Sequence, residues 1–173
     1  AFAAKGCTVE LPLLPGHGTS VLDMLKTGWD DWSAAAEKAY AELAERVDQV
    51  VVAGLSMGGS LALWLATRHD DLAGLVLVNP LAEPPDADTI AFLEALLAEG
   101  EIIDGIGSDI ADPDATELAY EGTPVRPLLS LMAAVGETAP ALAQIDCPVI
   151  LFASVQDHVV NPVSSDFVAA NVK

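Results

Sequence analysis

The run Gly54-Leu55-Ser56-Met57-Gly58-Gly59 sets a serine between glycines where two apolar stretches meet. Val50-Val51-Val52-Ala53 precedes it and Ser60-Leu61-Ala62-Leu63-Trp64-Leu65-Ala66 follows. Strand, G-x-S-x-G and helix is the context in which a serine stands on a sharp, strained turn with its hydroxyl clear of the sheet, able to attack a carbonyl carbon. A side chain at position 54 or 58 is expected to collide with the neighbouring strand or helix, which accounts for both glycines. Met57 would open the helix, and its backbone N–H would face an oxyanion developing on the attacked carbonyl. A second chemical group, Asp157, lies in Gln156-Asp157-His158-Val159-Val160-Asn161-Pro162, directly after the apolar run Val149-Ile150-Leu151-Phe152-Ala153. In open parallel sheets functional groups collect at the carboxyl ends of strands, so Asp157 is expected on the same rim as Ser56. His17, between two glycines, reads as a structural loop residue. His69 closes the helix with Thr67 and Arg68 and reads as a partner of its negative end.

The elements that must hold these groups alternate. Ala1 to Gly6 reads as a last helical turn with Gly6 as its cap, so the sequence is expected to begin inside a helix. Thr8 to Leu14 reads as a short strand whose pairing ends near Pro12, and Pro15-Gly16-His17-Gly18-Thr19 as a loop. Trp29-Asp30-Asp31-Trp32 opens a full helix, with Asp30 or Asp31 as its cap. Trp32, Ala35, Ala36, Ala39, Leu43 and Val47 make its apolar face. Gly74 to Pro80 is a continuous apolar run, the pattern of a parallel strand buried on both faces. This alternation predicts an α/β domain with a mostly parallel sheet. Between Leu81 and Asp146 the rhythm changes and no strand is predicted. Ile90 to Ala98 is a short amphipathic helix, residues 100–114 are acidic, Gly-rich and expected to be mobile, and Pro127 starts a helix running to about Val135. The segment 81–145 therefore reads as a helical cap or lid inserted into a core formed by 1–80 and 146–173. Its apolar side chains have two possible roles, packing on the sheet domain or walling an acyl site. Val163 to Val172 reads as a helix capped by Asn161.

Composition narrows the function classes. The chain has 173 residues, 52% hydrophobic and 19% charged, enough for one domain with its own core. Its 26 acidic residues against 7 Lys and Arg give a net charge of −19, which argues against nucleic acid and anionic membrane surfaces as partners because phosphate binding needs a basic footprint. No apolar run approaches the ~18 residues needed to span a bilayer. Cys7 and Cys147 lack metal spacing and read as buried thiols in a reducing, cytoplasmic setting. No G-x-G-x-x-G opens a helix, which argues against dinucleotide binding.

Leu14-Pro15-Gly16-His17-Gly18, Trp29-Asp30-Asp31-Trp32, Gly54 to Gly59, Gly74 to Pro80 and Gln156 to Pro162 together resemble the α/β-hydrolase superfamily, and within it the bacterial carboxylesterase and monoacylglycerol-lipase-like group. Order and spacing match over nearly the whole chain, with the cap the weakest part. The resemblance implies an α/β-hydrolase-type sheet with a helical cap insertion, Ser56 as nucleophile, Asp157 as the triad acid and Met57 N–H as one oxyanion donor. It implies no metal and no cofactor, and a small apolar acyl ester as the partner molecule. Ser154 departs from the glycine that many relatives carry before the acid loop. In the family the catalytic histidine follows the acid after a further helix and strand. Here 16 residues follow Asp157, and His158, its immediate neighbour, is badly placed to bridge Asp157 to Ser56. The second oxyanion donor's loop, His-Gly-Phe or His-Gly-Gly in the family, has no counterpart. The chain is thus expected to be an internal fragment, truncated at both termini and inactive alone, of a hydrolase acting on short- or medium-chain esters or monoacylglycerols. Two alternatives stay open: peptidase, lactonase or acyltransferase chemistry on the same fold, and a non-catalytic protein binding an apolar ligand or partner.

Overall fold

The computed structural model describes residues 2–173 except 106, 108, 109, 113, 116 and 117. Its elements are α1 (Val21–Met24), α2 (Trp29–Ala44), β1 (Val51–Leu55), α3 (Met57–Ala66), β2 (Gly74–Val78), α4 (Ala87–Glu99), β3 (Ile102–Asp104), β4 (Gly122–Pro124), α5 (Val125–Thr138), β5 (Val149–Phe152) and α6 (Val163–Asn171). Short 3₁₀ helices cover Ala3–Lys5, capped by Gly6 at φ 87°, and Ala139–Gln144.

The parallel sheet that the alternation predicts is present, in the order β1-β2-β5. Register pairs Ala53 with Val76 and Val76 with Ile150, then Leu55 with Val78 and Val78 with Phe152. Successive side chains in a strand point to opposite faces. Leu75 and Leu77, which are 1% and 0% exposed, turn toward α3, which packs on β1 and β2. Around α3 the core gathers Trp32 and Tyr40 of α2, Leu131, Ala134 and Val135 of α5, then Leu142, Ile145 and Val168. Burying each large side chain contributes about 1.5–3 kcal/mol, so this single cluster accounts for the helix-on-sheet arrangement.

Several expectations are corrected. The other sheet face, carrying Val51, Leu55, Ile150 and Phe152, is open, each of the four being more than half exposed. The apolar run 74–80 is therefore covered on one face only by the described elements. Thr8 to Leu14 joins no sheet. Pro12 has no N–H for a ladder, and the segment stands off β1 across a gap of about 220 Å³ lined by Glu10, Leu11, Pro12 and Leu14 against Val50 to Ala53. Cys7, just before that unpaired segment, is exposed and Cys147 half-buried, and both are free thiols. Between β2 and β5 a strand pair does exist: β3 and β4 form a short antiparallel ribbon, Ile103 opposite Thr123. Three-residue strands leave no alternation long enough to read. Part of the stretch expected to be mobile, residues 100–114, lies outside the described residues, and its beginning is β3.

Helix ends follow the caps. The cap of α2 is Gly28, and the expected cap residues Asp30 and Asp31 lie inside its first turn, where Asp31 reaches back to accept the Gly28 N–H at 3.0 Å. Asp86 accepts the Thr89 N–H at 2.7 Å as the cap of α4. Asn161 accepts the Val163 N–H at 3.1 Å from one residue outside the helix; the cap of α6 is Pro162, so the cap expected at Asn161 is displaced by one position. Helix α4 lies against α5 rather than on the sheet, burying Leu93 and leaving Phe92 outside. Among the described residues no helix is long and apolar enough to cross a membrane.

Candidate active site

Ser56 joins β1 to α3 with φ 51° and ψ −118°. Positive φ is costly for a residue with a Cβ, and the conformation is held by main-chain bonds on both sides. The Ser56 N–H donates to Val78 O at 3.0 Å, and Ser56 O accepts from Leu81 at 3.3 Å and Gly59 at 2.9 Å. The apolar strand and helix thus fix the strained turn between them.

The glycines divide unexpectedly. A Cβ on Gly54 would lie 2.0 Å from Gly58 O, and one on Gly59 would lie 2.6 Å from Pro80 Cβ. A Cβ on Gly58 would meet nothing within 4 Å. The expected collision at 58 is therefore absent: that side of α3's first turn faces open space. The close approaches are at Gly54, whose strand passes under the helix start, and at Gly59, pressed on the β2 exit. Met57 is the first residue of α3, and the first N–H groups of a helix have no carbonyl behind them.

Asp157 stands on the loop after β5. Its Oδ1 accepts the Val159 and Val160 N–H groups, both at 2.8 Å, an Asx-type turn that fixes the carboxylate on its loop. Ser56 and Asp157 line one pocket of about 560 Å³, together with Asn79, Ile110, Ser154, His158 and Val160. The two sequence-derived groups therefore share a rim at the carboxyl ends of parallel strands.

The other histidines lie elsewhere. His69 Nε2 is 2.8 Å from Glu37 Oε1, and its ring packs on Tyr40 at 4.1 Å, tying the end of α3 to α2. His17 packs edge-on against Trp32 at 5.6 Å. It lines a second chamber of about 590 Å³ with Met24, Leu118, Tyr120 and Pro124, which meets the Ser56 pocket at Val159. Among the described residues no group of three or more His, Cys, Asp or Glu side chains converges as metal ligands do.

Two features escaped the sequence. Tyr120 donates to Gly16 O at 2.7 Å and accepts the Thr19 N–H at 2.9 Å, pinning the His17 loop from across the ribbon. Asn79 adopts φ 42° beside the pocket, a turn whose only sequence signal is the Asn79-Pro80 pair.

The alpha/beta hydrolase family model matches residues 1–173. A thermostable monoacylglycerol lipase of Bacillus sp. (strain H-257) is 42% identical over 171 residues, covering 97% of this chain and 66% of the relative. A pimeloyl-[acyl-carrier protein] methyl ester esterase of Aromatoleum aromaticum is 39% identical over 80 residues, 45% of this chain and 28% of that protein. Among solved structures, one from a report on two metagenome-derived lipolytic enzymes, LipS and LipT, superposes with a TM-score of 0.91 at 34% identity, covering 99% of this chain and 70% of that one. The monoacylglycerol lipase of Paleococcus ferrophilus shares the fold at TM-score 0.59 and 18% identity. The chain thus spans about two thirds of the length of the Bacillus lipase and of the metagenome-derived lipolytic enzyme, and with its strained serine turn between a parallel strand and a helix it belongs to the alpha/beta hydrolase family.

Proposed function

We propose that the protein hydrolyses carboxylic esters, with short- to medium-chain acyl esters or monoacylglycerols as its substrate class, and that Ser56 is the nucleophile. The observation that carries this is the Ser56 backbone, held at φ 51° on a strand-to-helix turn whose pocket also contains Asp157. A binding protein has no use for a serine kept in that conformation. The monoacylglycerol lipase and lipolytic relatives support the substrate class.

In the proposed reaction a histidine takes the Ser56 proton as Oγ attacks the ester carbonyl. The Met57 N–H steadies the oxyanion, and the histidine returns the proton to the leaving alcohol. Asp157 orients the imidazole and stabilises its cationic form. Water then hydrolyses the acyl-enzyme by the reverse proton path. We place this histidine in sequence following Lys173, in the Ser–Asp–His order of the family. The segment 81–145 acts as the cap, and the chamber beside His17 and Tyr120 offers apolar wall for one leg of the ester. Neither metal nor cofactor enters these steps.

The test is turnover of a chromogenic short-chain ester by the complete protein. Ser56→Ala is expected to reduce kcat by about 10⁴- to 10⁶-fold and Asp157→Asn by about 10⁴-fold. An active Ser56→Ala variant refutes the reading. A second reading of the base is favoured by one observation: His158 lines the Ser56 pocket. If the 173-residue chain alone turns over ester, and Ser56→Ala and His158→Ala abolish this while His17→Ala and His69→Ala do not, His158 is the base.

A further inference from the structure

The geometry points to Asn79 as a positioning residue whose side-chain amide fixes the Asp157 loop relative to Ser56; this rests on the hydrolase reading above. Ser56 and Asn79 are the two non-glycine residues with positive φ among the described residues, at 51° and 42°. They are linked. Val78, just before Asn79, accepts the Ser56 N–H, and Leu81, two residues after it, donates to Ser56 O. The turn at Asn79 therefore grips the main chain of the serine from both sides.

The same residue grips the acid loop. The Asn79 N–H donates to Phe152 O at 2.9 Å, the last residue of β5. Its Oδ1 accepts the Ser154 N–H at 2.8 Å, three residues before Asp157. Beyond Asp157 the loop returns to the same segment. Ser164 of α6, 1% exposed, donates to Pro80 O at 2.7 Å and accepts the Ala82 N–H at 2.7 Å. Both ends of the acid loop are thus anchored on residues 79–82, which also hold Ser56. The Asx turn at Asp157 fixes the carboxylate within its loop, and the Asn79 anchor fixes the loop against the nucleophile.

The residue type follows from two simultaneous demands. The backbone needs a left-handed φ, and the Ser154 N–H needs a short acceptor. Glycine meets the first alone, whereas asparagine and aspartate meet both, being the side-chain-bearing residues that most readily enter that region.

The variants Asn79→Gly and Asn79→Asp of the complete protein separate this role from a merely structural one. Asn79→Gly keeps the backbone freedom and loses the acceptor. It is expected to lower kcat by about 10- to 100-fold, with KM for the chromogenic ester and Tm close to those of the parent. Asn79→Asp restores an acceptor and is expected to recover most of that loss. An unchanged kcat in Asn79→Gly overturns the inference, as does a loss that follows Tm and is not recovered by aspartate. Ser56→Ala runs alongside: if it still turns over ester, the hydrolase reading itself falls. If it is dead while Asn79→Gly is fully active, only the role of Asn79 falls.

Discussion

The glycines around Ser56 differ in what they do. At Gly54 an added methyl would sit 2.0 Å from a backbone oxygen, and at Gly59 2.6 Å from Pro80. Neither backbone nor a proline ring can swing away as a flexible side chain could. Gly54→Ala and Gly59→Ala are expected to cost about 3 kcal/mol each and to lower yield of folded protein. Gly58, in the first turn of α3 with open space beside it, should accept alanine and gain about 0.5–1 kcal/mol through helix preference. Denaturant midpoints of the three variants check this, and a Gly58→Ala protein as damaged as Gly54→Ala would contradict it. The pentapeptide was legible as a motif because Gly54 and Gly58 bracket Ser56 where an apolar strand pattern gives way to a helix pattern. Which glycine bears the steric constraint was not legible, since it depends on where β2 leaves the sheet.

At the scale of elements, side chains rather than ladders hold the layers together. Tyr40 of α2 is buried, and its hydroxyl donates to Asp71 at 2.6 Å in the corner between α3 and β2. Burial first, then the Asp71 bond, pushes its ionisation from 10.0 up to about 12. The folded state therefore holds this proton more tightly than the unfolded state does. The resulting stabilisation is complete below pH 10.0 and is lost as pH rises from there to about 12. Denaturation at about pH 9 and about pH 11 should show a larger loss for the parent than for Tyr40→Phe. Equal losses would remove Tyr40 from the account. In the same way Tyr120 ties the ribbon to the 16–19 loop and Ser164 ties α6 to the β2 exit. The helices themselves were readable from 3.6-residue spacing and from polar residues near their starts, Asp31 and Asn161, although the caps proper are Gly28 and Pro162. The ribbon β3–β4 was not, because three residues carry no period, and the strand expected at Thr8 to Leu14 failed because pairing needs a neighbour as well as a propensity.

For the molecule as a whole, charge is the dominant long-range term. Twenty-six acidic residues face 7 basic ones, and ion pairs such as Lys26–Asp23, Lys38–Glu42 and Arg126–Glu101 are solvent-exposed, where each contributes about 0–1 kcal/mol. Net self-repulsion therefore opposes the compact state. Raising NaCl from about 0.01 M to about 0.15 M shortens the screening length from about 30 Å to about 8 Å, so the thermal midpoint should rise with salt. A midpoint that stays flat or falls would show that the acidic groups are too far apart to repel. The sheet contributes a second whole-molecule feature. One face is closed by α3 and the other shows Val51, Leu55, Ile150 and Phe152 to solvent, an arrangement invisible in strands whose residues are apolar at every position.

Local patterns were sufficient for the fold class, the strand–helix–strand run from β1 to β2, the serine turn and the presence of an acid on the rim. Each depends on interactions within a few residues: hydrophobic period, a cap, a turn that excludes side chains. Which groups meet across long separations came from packing in three dimensions. Asn79 reaches Ser154, Tyr120 reaches Gly16 and Thr19, and Ser164 reaches Pro80. These bonds join segments about 75 to 104 residues apart, and their partners are ordinary polar residues and main-chain atoms that no local pattern marks. The chemistry of Ser56 was therefore readable along the chain, while the clamp that holds Asp157 to it exists only once β2 and β5 lie side by side.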